Sequence, residues 1–330
     1  MRKKQTILLT GGTGSFGEAF ITHVLSNASF NGVLRIYSRD EFKQYHLMQK
    51  FNDDSRLRFF IGDIRDLGRL KRAMDSVELV IHAAALKQVP ILEYNPFEAV
   101  KTNILGTQNV IESAIDANVA KAILISSDKA CAPINLYGAT KMVAEKLFIQ
   151  GNAYAGKKNI KFTVVRYGNV MASRGSVLPL FLKQAKFKTL TITDSKMTRF
   201  WITLEQGVQF VLKSSRIMQG GEIFVPKIPS VKIVDLAKAI DGKNRIKVTG
   251  IRLGEKINEV LVSRDEAKCT FDAGNYYVIK PEYFWKKNTH RDLRKRVPKD
   301  FLYSSETNDN WITVPELKSL IKKIDSSNEA

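Results

Sequence analysis

The chain has 330 residues, of which 44% are hydrophobic and 26% are charged, and its formal net charge is +19. This length is enough for one large domain or two modest ones with a sizeable core. No apolar stretch approaches the roughly 20 residues that a membrane span needs, and the amino-terminal apolar run is too short for a signal peptide. We therefore expect a soluble, cytoplasmic protein without a membrane span.

The cysteine and histidine content argues against a disulfide framework and against a metal site. The two cysteines, Cys131 and Cys269, and the four scattered histidines lack the spacing of metal ligands. No metal is predicted, and the thiols are expected to be reduced. The basic excess is compatible with nucleic acid, anionic lipid or anionic small molecules. Because no nucleic-acid-binding motif accompanies it, we interpret it as a solvated face with some contacts to a phosphorylated ligand.

The chain opens with a predicted strand, Thr6–Thr10, and a glycine-rich turn, followed by an amphipathic helix to Leu25. Glycines in this spacing allow the backbone to approach a pyrophosphate, while the first amides of the helix point at the anion. We therefore predict a dinucleotide site. Its residues are Gly11, Thr13, Gly14, Ser15, Phe16 and Gly17.

The end of the second predicted strand, 33–37, bears on which cofactor binds. An acidic residue at this position is typical of NAD sites, whereas arginine meets the 2′-phosphate of NADP. Arg39, with Ser38 and Lys43 nearby, favours NADP, and Asp40 lies in the same turn. The alternative is that Asp40 caps the next helix and Arg39 faces solvent.

Two further strands and one helix are expected to add contacts. The strands at Leu57–Ile61 and 79–81 end beside the cofactor, and Lys87 on the loop after the second is a candidate substrate contact. A helix predicted over 98–117 carries Thr102 and Asn103 toward the interior. Asn103 is either a buried polar residue that steadies the sheet or part of a proton relay, and both interpretations stay open. The added cofactor contacts are Asp63, Ile64, Ala83, Ala84 and Thr102.

The stretch after the fifth predicted strand, 122–125, contains most of the chemistry. The groups that gather there are Ser127, Asp128, Lys129, Tyr137 and Lys141. Helical spacing places Tyr137 and Lys141 on one face, and a lysine one turn away favours the tyrosine phenolate. Such a tyrosine can take a proton from a substrate alcohol while a nicotinamide takes hydride.

The alternation of strands and helices through the sixth strand, 162–166, predicts an α/β fold with a doubly wound parallel sheet. We assign residues 1–170 to a Rossmann-type NADP-binding domain, with sheet completion from about 200–226. Residues 171–199 and 227–330 are assigned to a smaller substrate-binding lobe, whose final segment carries no recognisable chemistry.

Several motifs together resemble a known family. The glycine turn, the Tyr137 and Lys141 pair, and the Arg-Tyr-Gly-Asn-Val segment from Arg166 are similar to the extended short-chain dehydrogenase/reductase superfamily, in its nucleotide-sugar branch. More narrowly, segments that begin at Tyr37, His82, Ser127, Met197 and Gly220 resemble soluble UDP-N-acetylglucosamine 4,6-dehydratases that invert C5.

The resemblance implies a UDP-sugar substrate and a tightly bound NADP that is regenerated in each turnover. C4 is oxidised with Tyr137 as base and Lys141 lowering its pKa. Asp128, protonated, is the acid for the departing C6 hydroxyl, and Lys129, neutral when it acts, is the C5 base. Hydride then returns to C6, and a proton delivered to the opposite face inverts C5. Whether Tyr137, Lys129 or water supplies that proton stays open.

The resemblance also implies substrate contacts, a pathway and an assembly. It assigns the first step of pseudaminic acid synthesis, which serves flagellin glycosylation, and a homo-oligomer between dimer and hexamer. Val170 is added to the cofactor site. The implied substrate contacts are Asn169, Arg174 and Arg199 for the sugar and diphosphate, and Arg252 with Glu255 for the UDP end.

Three alternatives remain. A C4 epimerase or a C5-retaining dehydratase would use the same Tyr137 and Lys141, but retaining dehydratases of the dTDP-glucose type carry Asp-Glu where this chain has Asp128-Lys129, and an epimerase needs neither. A non-catalytic NADP-binding regulator would not need the full set of reactive groups. A nucleic-acid binder would bind with a steep salt dependence.

Overall fold

The computed structural model describes residues 5–171, 176–240, 245–280 and 295–328, and the predicted substrate contact Arg174 lies outside them. The strands are β1 Thr6–Thr10, β2 Val33–Ser38, β3 Leu57–Ile61, β4 Leu79–His82, β5 Lys121–Ser127, β6 Lys161–Tyr167, β7 Asn169–Val170, β8 Thr189–Ile192, β9 Thr198–Ile202, β10 Ile223–Pro226, β11 Ser230–Lys232, β12 Arg245–Val248, β13 Val260–Val262, β14 Thr270–Asp272, β15 Tyr276–Ile279, β16 Lys295–Arg296 and β17 Tyr303–Ser304. The helices are α1 Ser15–Ser26, α2 Glu41–Lys50, α3 Leu67–Met74, α4 Val89–Tyr94, α5 Pro96–Ala99, α6 Gly106–Asp116, α7 Leu136–Tyr154, α8 Val177–Ala185, α9 Leu204–Ile217, α10 Ile233–Ile240, α11 Arg264–Ala267 and α12 Val314–Asn328.

The main sheet is parallel at its centre, in the order β3-β2-β1-β4-β5-β6-β10. Beyond β10 it continues with β15, β14 and β16, which pair antiparallel. The strand order reverses between β1 and β4, and ligands of such sheets bind at this switch point, outside the carboxyl ends of the strands. The predicted doubly wound α/β fold is confirmed.

The central strands are buried on both faces, and for this reason they read as nearly continuous apolar runs. Leu8 and Leu9 on β1 and Ile123 on β5 are fully buried. On the helices, α1 packs against α9, and α6 packs against both α3 and α7. Right-handed crossovers that run in opposite directions from the switch point place helices on opposite faces of the sheet.

A second core lies in the carboxyl-terminal half. It is formed by α8, α10 and α12 with strands β8, β9 and β11, and includes Phe181, Trp201, Leu236 and Leu317. A three-stranded sheet, β11-β9-β7, runs through this region. Because β7 follows β6 after one residue, this small sheet lies directly beyond the carboxyl end of the main one.

The segment predicted as one helix over 98–117 is not regular. It consists of α5, a π-helical turn at Val100–Leu105, and α6. A π-helical turn adds a residue to the helical repeat and redirects the side chains around it, and such turns occur often at functional sites. Here Thr102 and Asn103 within the turn are both buried, so the prediction of a single helix was wrong while the inward orientation was right.

The predicted domain boundary at residue 170 stays a prediction. The hydrogen-bonded main sheet includes β10 and also β14 to β16, which lie well beyond that residue, whereas β9 belongs to the three-stranded sheet. In the part of the chain that the structure describes, no helix is both long and apolar enough to cross a membrane.

Candidate active site

The glycine-rich turn joins β1 to α1 at the switch point of the sheet. Gly11 has φ +70°, and a side-chain carbon there would lie 2.8 Å from the backbone of Ala84, on the loop after β4. Only glycine adopts this conformation without strain. The Gly11 amide also donates to the carbonyl of Tyr37 on β2 (2.9 Å). The turn is therefore held against two neighbouring strands.

The start of α1 fits a dinucleotide diphosphate. A side-chain carbon at Gly17 would lie 2.2 Å from the carbonyl oxygen of Gly12, so glycine lets the helix pack onto its own turn. Gly14 precedes the helix without a side-chain cap, Thr13 is buried, and Phe16 packs against the core. The free backbone amides at the start of a helix attract an anion, and glycines allow that anion to come close to them.

At the tip of β2, two of the predicted cofactor residues are bound to each other. Asp40 accepts a hydrogen bond from the Lys43 amide (3.0 Å) and thereby caps α2, and its carboxylate lies 2.7 Å from Lys43 Nζ. These interactions with Lys43 hold the pKa of Asp40 below its usual value. Arg39 is more than half exposed, 3.9 Å from the Asp63 carboxylate. Buried Ser38 accepts a hydrogen bond from Gln44 (2.9 Å).

The predicted cofactor contacts Asp63 and Ile64 follow β3, and one is polar and the other apolar. Burial opposes ionisation of Asp63, but the Arg65 side chain and amide bind its carboxylate and lower its pKa overall. Ile64 is buried in the main core. On the loop after β4, the Ala84 amide donates to Thr10 Oγ1 (3.3 Å), and Ala83 is packed against the core.

Asn103 clamps the loop after β4 to α7. Its side-chain oxygen accepts from the Leu86 amide (2.8 Å), and its nitrogen donates to the Leu86 carbonyl (2.9 Å) and to Thr140 Oγ1 (3.0 Å). These bonds use both N–H groups of the amide and its oxygen. The structure thus favours the steadying interpretation of Asn103 over the proton relay. Thr102 differs, because its buried hydroxyl has no hydrogen-bond partner among the described residues.

His82 had no role predicted from the sequence. At the end of β4, its ring connects β1 to α6. Its Nδ1 lies 2.7 Å from Thr10 Oγ1 and its Nε2 lies 3.1 Å from Thr107 Oγ1. Thr107 donates its own proton to the Asn103 carbonyl (2.7 Å), so it accepts from Nε2 of His82. Burial, with the charge of Lys141, lowers the pKa of His82 to about 3. The ring is therefore neutral and structural.

The carboxyl end of β5 brings three predicted catalytic residues into contact. Ser127 donates its hydroxyl proton to Asp128 Oδ1 (2.8 Å) and accepts from the Lys129 amide (3.2 Å). Lys129 Nζ donates to the same Asp128 oxygen (3.0 Å). Asp128 is fully buried, whereas the Lys129 side chain retains 25% of its exposure.

Lys129 is surrounded by three acceptors. Besides Asp128, its Nζ lies 3.3 Å from Glu259 Oε1 and 3.4 Å from Asn169 Oδ1. Burial disfavours the ammonium, but the two carboxylates outweigh burial and raise the pKa of Lys129 above its ordinary value. Lys129 and Asp128 therefore form a salt bridge in the structure. The expectation of a protonated Asp128 and a Lys129 that is neutral when it acts concerns the reacting state and stays a prediction. Transfer of one proton over the 3.0 Å between Nζ and Oδ1 interconverts the two forms.

Tyr137 and Lys141 lie four residues apart on α7, as predicted, and both are buried. Burial raises the pKa of Tyr137, while the charge of Lys129 and a hydrogen bond with Ser127 oppose that increase. Burial likewise lowers the pKa of Lys141 to about 8, against the influence of Glu145, and Nζ donates to the Ile125 carbonyl (2.8 Å). Lys129 is thus a cation that favours the Tyr137 phenolate, and the expected lowering of the Tyr137 pKa by Lys141 stays a prediction.

The predicted substrate contacts occupy different environments. Asn169 on β7 contacts Lys129 directly, and Val170 beside it pairs with β9. Arg199 is buried, and its guanidinium donates to the carbonyls of Thr198, Lys256 and Ile257 at 2.7 to 2.9 Å. It therefore fixes the segment before β13. Arg252 and Lys87 are exposed, and Glu255 accepts from the Arg252 amide (3.3 Å).

Comparison with known proteins agrees with this geometry. The family model described as "Polysaccharide biosynthesis protein" matches residues 7–281. The UDP-N-acetylglucosamine 4,6-dehydratase (inverting) of Campylobacter jejuni subsp. jejuni serotype O:2 is 49% identical over 330 residues, which cover 97% of this chain and 98% of that protein. The chain belongs to this dehydratase family.

Other similar proteins have different names. A UDP-glucose 4-epimerase of Rickettsia bellii is 47% identical over 282 residues, 83% of this chain and 82% of that protein. The X-ray structure of Pen from Bacillus thuringiensis has a TM-score of 0.88 and 38% identity, with 98% of both chains covered. A dTDP-glucose 4,6-dehydratase from Streptomyces venezuelae shares the fold, with a TM-score of 0.68 and 21% identity over 77% of this chain and 87% of that one.

In this member of the dehydratase family, Glu259 is the site residue that sequence reasoning missed. It immediately precedes β13, its side chain is almost fully buried, and its Oε1 lies between Lys129 Nζ and Arg199 Nε (3.3 and 3.9 Å). Glu255 and Glu259 share the segment Gly-Glu-Lys-Ile-Asn-Glu from Gly254. The only available signal was a second carboxylate in a segment already assigned to substrate binding.

Proposed function

We propose that this chain is a C5-inverting UDP-N-acetylglucosamine 4,6-dehydratase that forms UDP-2-acetamido-2,6-dideoxy-β-L-arabino-hex-4-ulose. The observation that carries the proposal is the Asp128 and Lys129 pair at the carboxyl end of β5, hydrogen-bonded to each other and close to Asn169 on β7. An acid and a base in direct contact suit an elimination in which one group loses a proton while another gains one. Family membership supports the same substrate class.

The proposed cofactor is NADP, which would be held by the turn that contains Gly11, Gly14 and Gly17 and would supply hydride acceptance at C4 and hydride return at C6. At Gly11, Gly14 and Gly17 a side chain would occupy the space beside the turn. Their lack of side chains supports dinucleotide binding at the start of α1. Arg39 supports the phosphorylated form, because it is an exposed guanidinium at the tip of β2, whereas the acidic residue of that turn is bound to Lys43. We expect Arg39→Ala to weaken NADP binding at least about tenfold more than NAD binding, since an arginine fork matches phosphate oxygens.

Protein side chains would handle the protons. Tyr137 accepts the proton of the C4 hydroxyl, helped by the charge of Lys129 and by Ser127. Once C4 is a ketone, the C5 proton becomes acidic, and Lys129 in its neutral form takes it. Asp128 gives its proton to the C6 hydroxyl, which leaves as water. The elimination thus ends with a charged Lys129 and an ionised Asp128, which is the resting ion pair of the structure.

The remaining contacts and the biological setting extend the same proposal. Asn169, Arg174, Arg199, Arg252 and Glu255 are proposed substrate contacts, and Arg199 would act largely through the segment it fixes. Cytoplasmic location and a first step in pseudaminic acid synthesis rest on the family resemblance. A homo-oligomer is supported by the exposed apolar side chains of Ile91, Tyr94 and Phe97 on α4 and α5, and light scattering of the purified protein tests it.

The test is proton NMR of the purified protein with UDP-N-acetylglucosamine in D₂O, first without and then with added NADP⁺. We expect a 6-deoxy-4-keto product that carries deuterium at C5 and has the ring couplings of the inverted sugar. A D-xylo product would contradict inversion while leaving dehydration intact. Absence of turnover under both conditions would refute the substrate assignment.

The same spectra distinguish a C4 epimerase, the activity for which the Rickettsia relatives are named. An epimerase would yield a sugar that keeps its C6 hydroxyl and shows no deuterium at C5. Asp128 and Lys129 argue against this outcome, because epimerisation at C4 needs neither an acid for C6 nor a base for C5.

A further inference from the structure

A third charged side chain approaches the pair that performs the elimination. Glu259 lies immediately before β13, in the carboxyl-terminal half of the chain, and its Oε1 is 3.3 Å from Lys129 Nζ. Asn169 Oδ1 is 3.4 Å from the same nitrogen, and Asp128 Oδ1 is 3.0 Å from it. The charged lysine, with three N–H donors, therefore has three acceptors within 3.4 Å.

The neutral lysine has only two N–H donors and one lone pair. Once its third proton has moved to Asp128, the two remaining N–H groups still have Glu259 and Asn169 as acceptors. The lone pair then occupies the position that the transferred proton has left. An amine without these two acceptors could rotate freely about its terminal carbon–nitrogen bond, and the lone pair would have no fixed direction.

We propose that Glu259 is a positioning residue for Lys129: together with Asn169 it holds two N–H groups of the amine and so restricts the directions in which the lone pair can meet the C5 proton. This inference rests on the proposed dehydratase function. It assigns to the carboxyl-terminal half of the chain a direct part in the acid–base chemistry, in addition to substrate binding.

Glu259 is itself held firmly enough for this role. Its amide donates to Ser305 Oγ (2.9 Å), and its carbonyl accepts from the Ser305 amide (2.8 Å). Ser305 Oγ also lies 2.7 Å from Thr198 Oγ1 on β9. Two backbone hydrogen bonds to one residue fix the point from which the side chain extends. Arg199, with Nε 3.9 Å from Oε1, balances the charge of the carboxylate.

The second oxygen of Glu259 supports a functional reason for this carboxylate. Among the described residues, Glu259 Oε2 and Asp128 Oδ2 are buried without a hydrogen-bond partner. A buried acceptor left unpaired is destabilising, and such atoms in a folded protein call for an explanation. Both belong to carboxylates that flank Lys129, where spare acceptor capacity allows protons to be rearranged.

The test compares Glu259→Gln with wild type and with Glu222→Gln. Glutamine keeps the size of the side chain but can present its amide N–H groups to Lys129 in place of an oxygen. Glu222 is a matched control, because it is also a fully buried carboxylate. It lies immediately before β10, where it accepts hydrogen bonds from the Thr163 hydroxyl and from the Gly220 amide. Both variants lose one buried negative charge.

Two steps are measured in a single turnover with NADP⁺ and UDP-N-acetylglucosamine. Oxidation at C4 is followed by the near-ultraviolet absorbance of the reduced nicotinamide, and the C5 step by deuterium incorporation in D₂O. For Glu259→Gln we expect C4 oxidation within about threefold of wild type, a C5 step slower by about 10- to 100-fold, and accumulation of reduced cofactor. Glu222→Gln should leave the ratio of the two rates unchanged.

The outcomes separate this inference from the proposed function. If wild type forms no 6-deoxy product, the proposed function fails. If wild type is active and Glu259→Gln shows normal C5 exchange, or slows both steps equally, the positioning role is wrong.

In a Lys129→Met background, Glu259→Gln should cause no further loss of the C5 step, and an additional loss would contradict action through Lys129. Should Glu259→Gln not fold, Glu259→Asp, which keeps the charge but withdraws it by one methylene, must show the same selective slowing.

Discussion

Two buried charge clusters lie side by side in this molecule, and they differ in how completely their hydrogen bonds are satisfied. In the first, Arg166 on β6 donates to both oxygens of Glu145 on α7, to both oxygens of Glu266 on α11, and to the Leu261 carbonyl, at 2.7 to 3.0 Å. All five N–H groups of the guanidinium are thereby used.

The second cluster, around Lys129, is less complete. Within the part of the chain that the structure describes, Asp128 and Glu259 each keep one buried oxygen without a hydrogen-bond partner. The Lys129 side chain is partly exposed. Burial and charge alone therefore do not identify a reactive site, because both clusters have them. The satisfied cluster joins four elements, β6, α7, α11 and β13, whereas the unsatisfied one has capacity left for a proton and a substrate.

The strongest way to sharpen this contrast is Lys129→Met. We expect kcat to fall by about 10²- to 10⁴-fold, because a positioned general base contributes on this scale, while C4 oxidation continues. The measurements are product formation by NMR and reduction of the cofactor in one turnover. Equal loss of oxidation and elimination would contradict a role confined to C5.

Arg166→Met addresses the satisfied cluster. Removing one partner of a buried ion network leaves Glu145 and Glu266 uncompensated, and we expect the free energy of unfolding to fall by about 3–5 kcal/mol. Urea unfolding measures it, with Lys129→Met as the comparison. If Lys129→Met destabilised the fold as much, the distinction between the two clusters would be lost.

Lys141 lies on the same helix as Glu145 of the first cluster, and its substitution tests the electrostatics of α7. Burial lowers the pKa of Lys141 from an ordinary 10.5 to about 8, so carrying its charge in the native state is unfavourable by ~3 kcal/mol. Lys141→Met should therefore be more stable than wild type at pH 7, by an amount of this order.

The pH dependence of that difference follows from the sign of the shift. Between pH 8 and pH 10.5 the unfolded wild-type chain binds a proton at Lys141 that the native chain has released, so wild-type stability rises with pH across this window. The advantage of Lys141→Met should shrink accordingly. Denaturant unfolding at intervals from pH 7 to pH 10 measures it, and a constant difference would contradict the shift.

The smallest expected effect belongs to Cys131, at the edge of the satisfied cluster. Its thiol donates to Glu266 Oε2 (3.5 Å), and burial raises its pKa to about 12. Cys131→Ala should lower the free energy of unfolding by about 1 kcal/mol and leave the balance between C4 oxidation and C5 exchange unchanged. The buried thiol should also react with alkylating reagents far more slowly than Cys269, which is partly exposed.

Local sequence patterns were sufficient for much of the cofactor half. The strands β1 and β3 begin and end at the predicted residues. For β1 the reason is that a strand buried on both faces leaves an unbroken apolar run, whereas β3 lies at the edge of the sheet and is only partly buried. The π-helical turn at Val100–Leu105 was missed, since its residues fit a regular helix equally well and packing decides the difference. The antiparallel edge formed by β14 to β16 also lacked a local signal.

The reactive groups were partly predictable from the sequence, whereas most of their contacts were not. The sequence by itself determined that Ser127, Asp128 and Lys129 follow a buried strand and that a tyrosine and a lysine share one face of the next helix. Tertiary structure alone decided that Glu259, 130 positions beyond Lys129, completes the surroundings of that lysine, and that Arg199 binds the backbone. It also decided the charge states, because a pKa depends on burial and on charges brought close by folding, neither of which is encoded in local spacing.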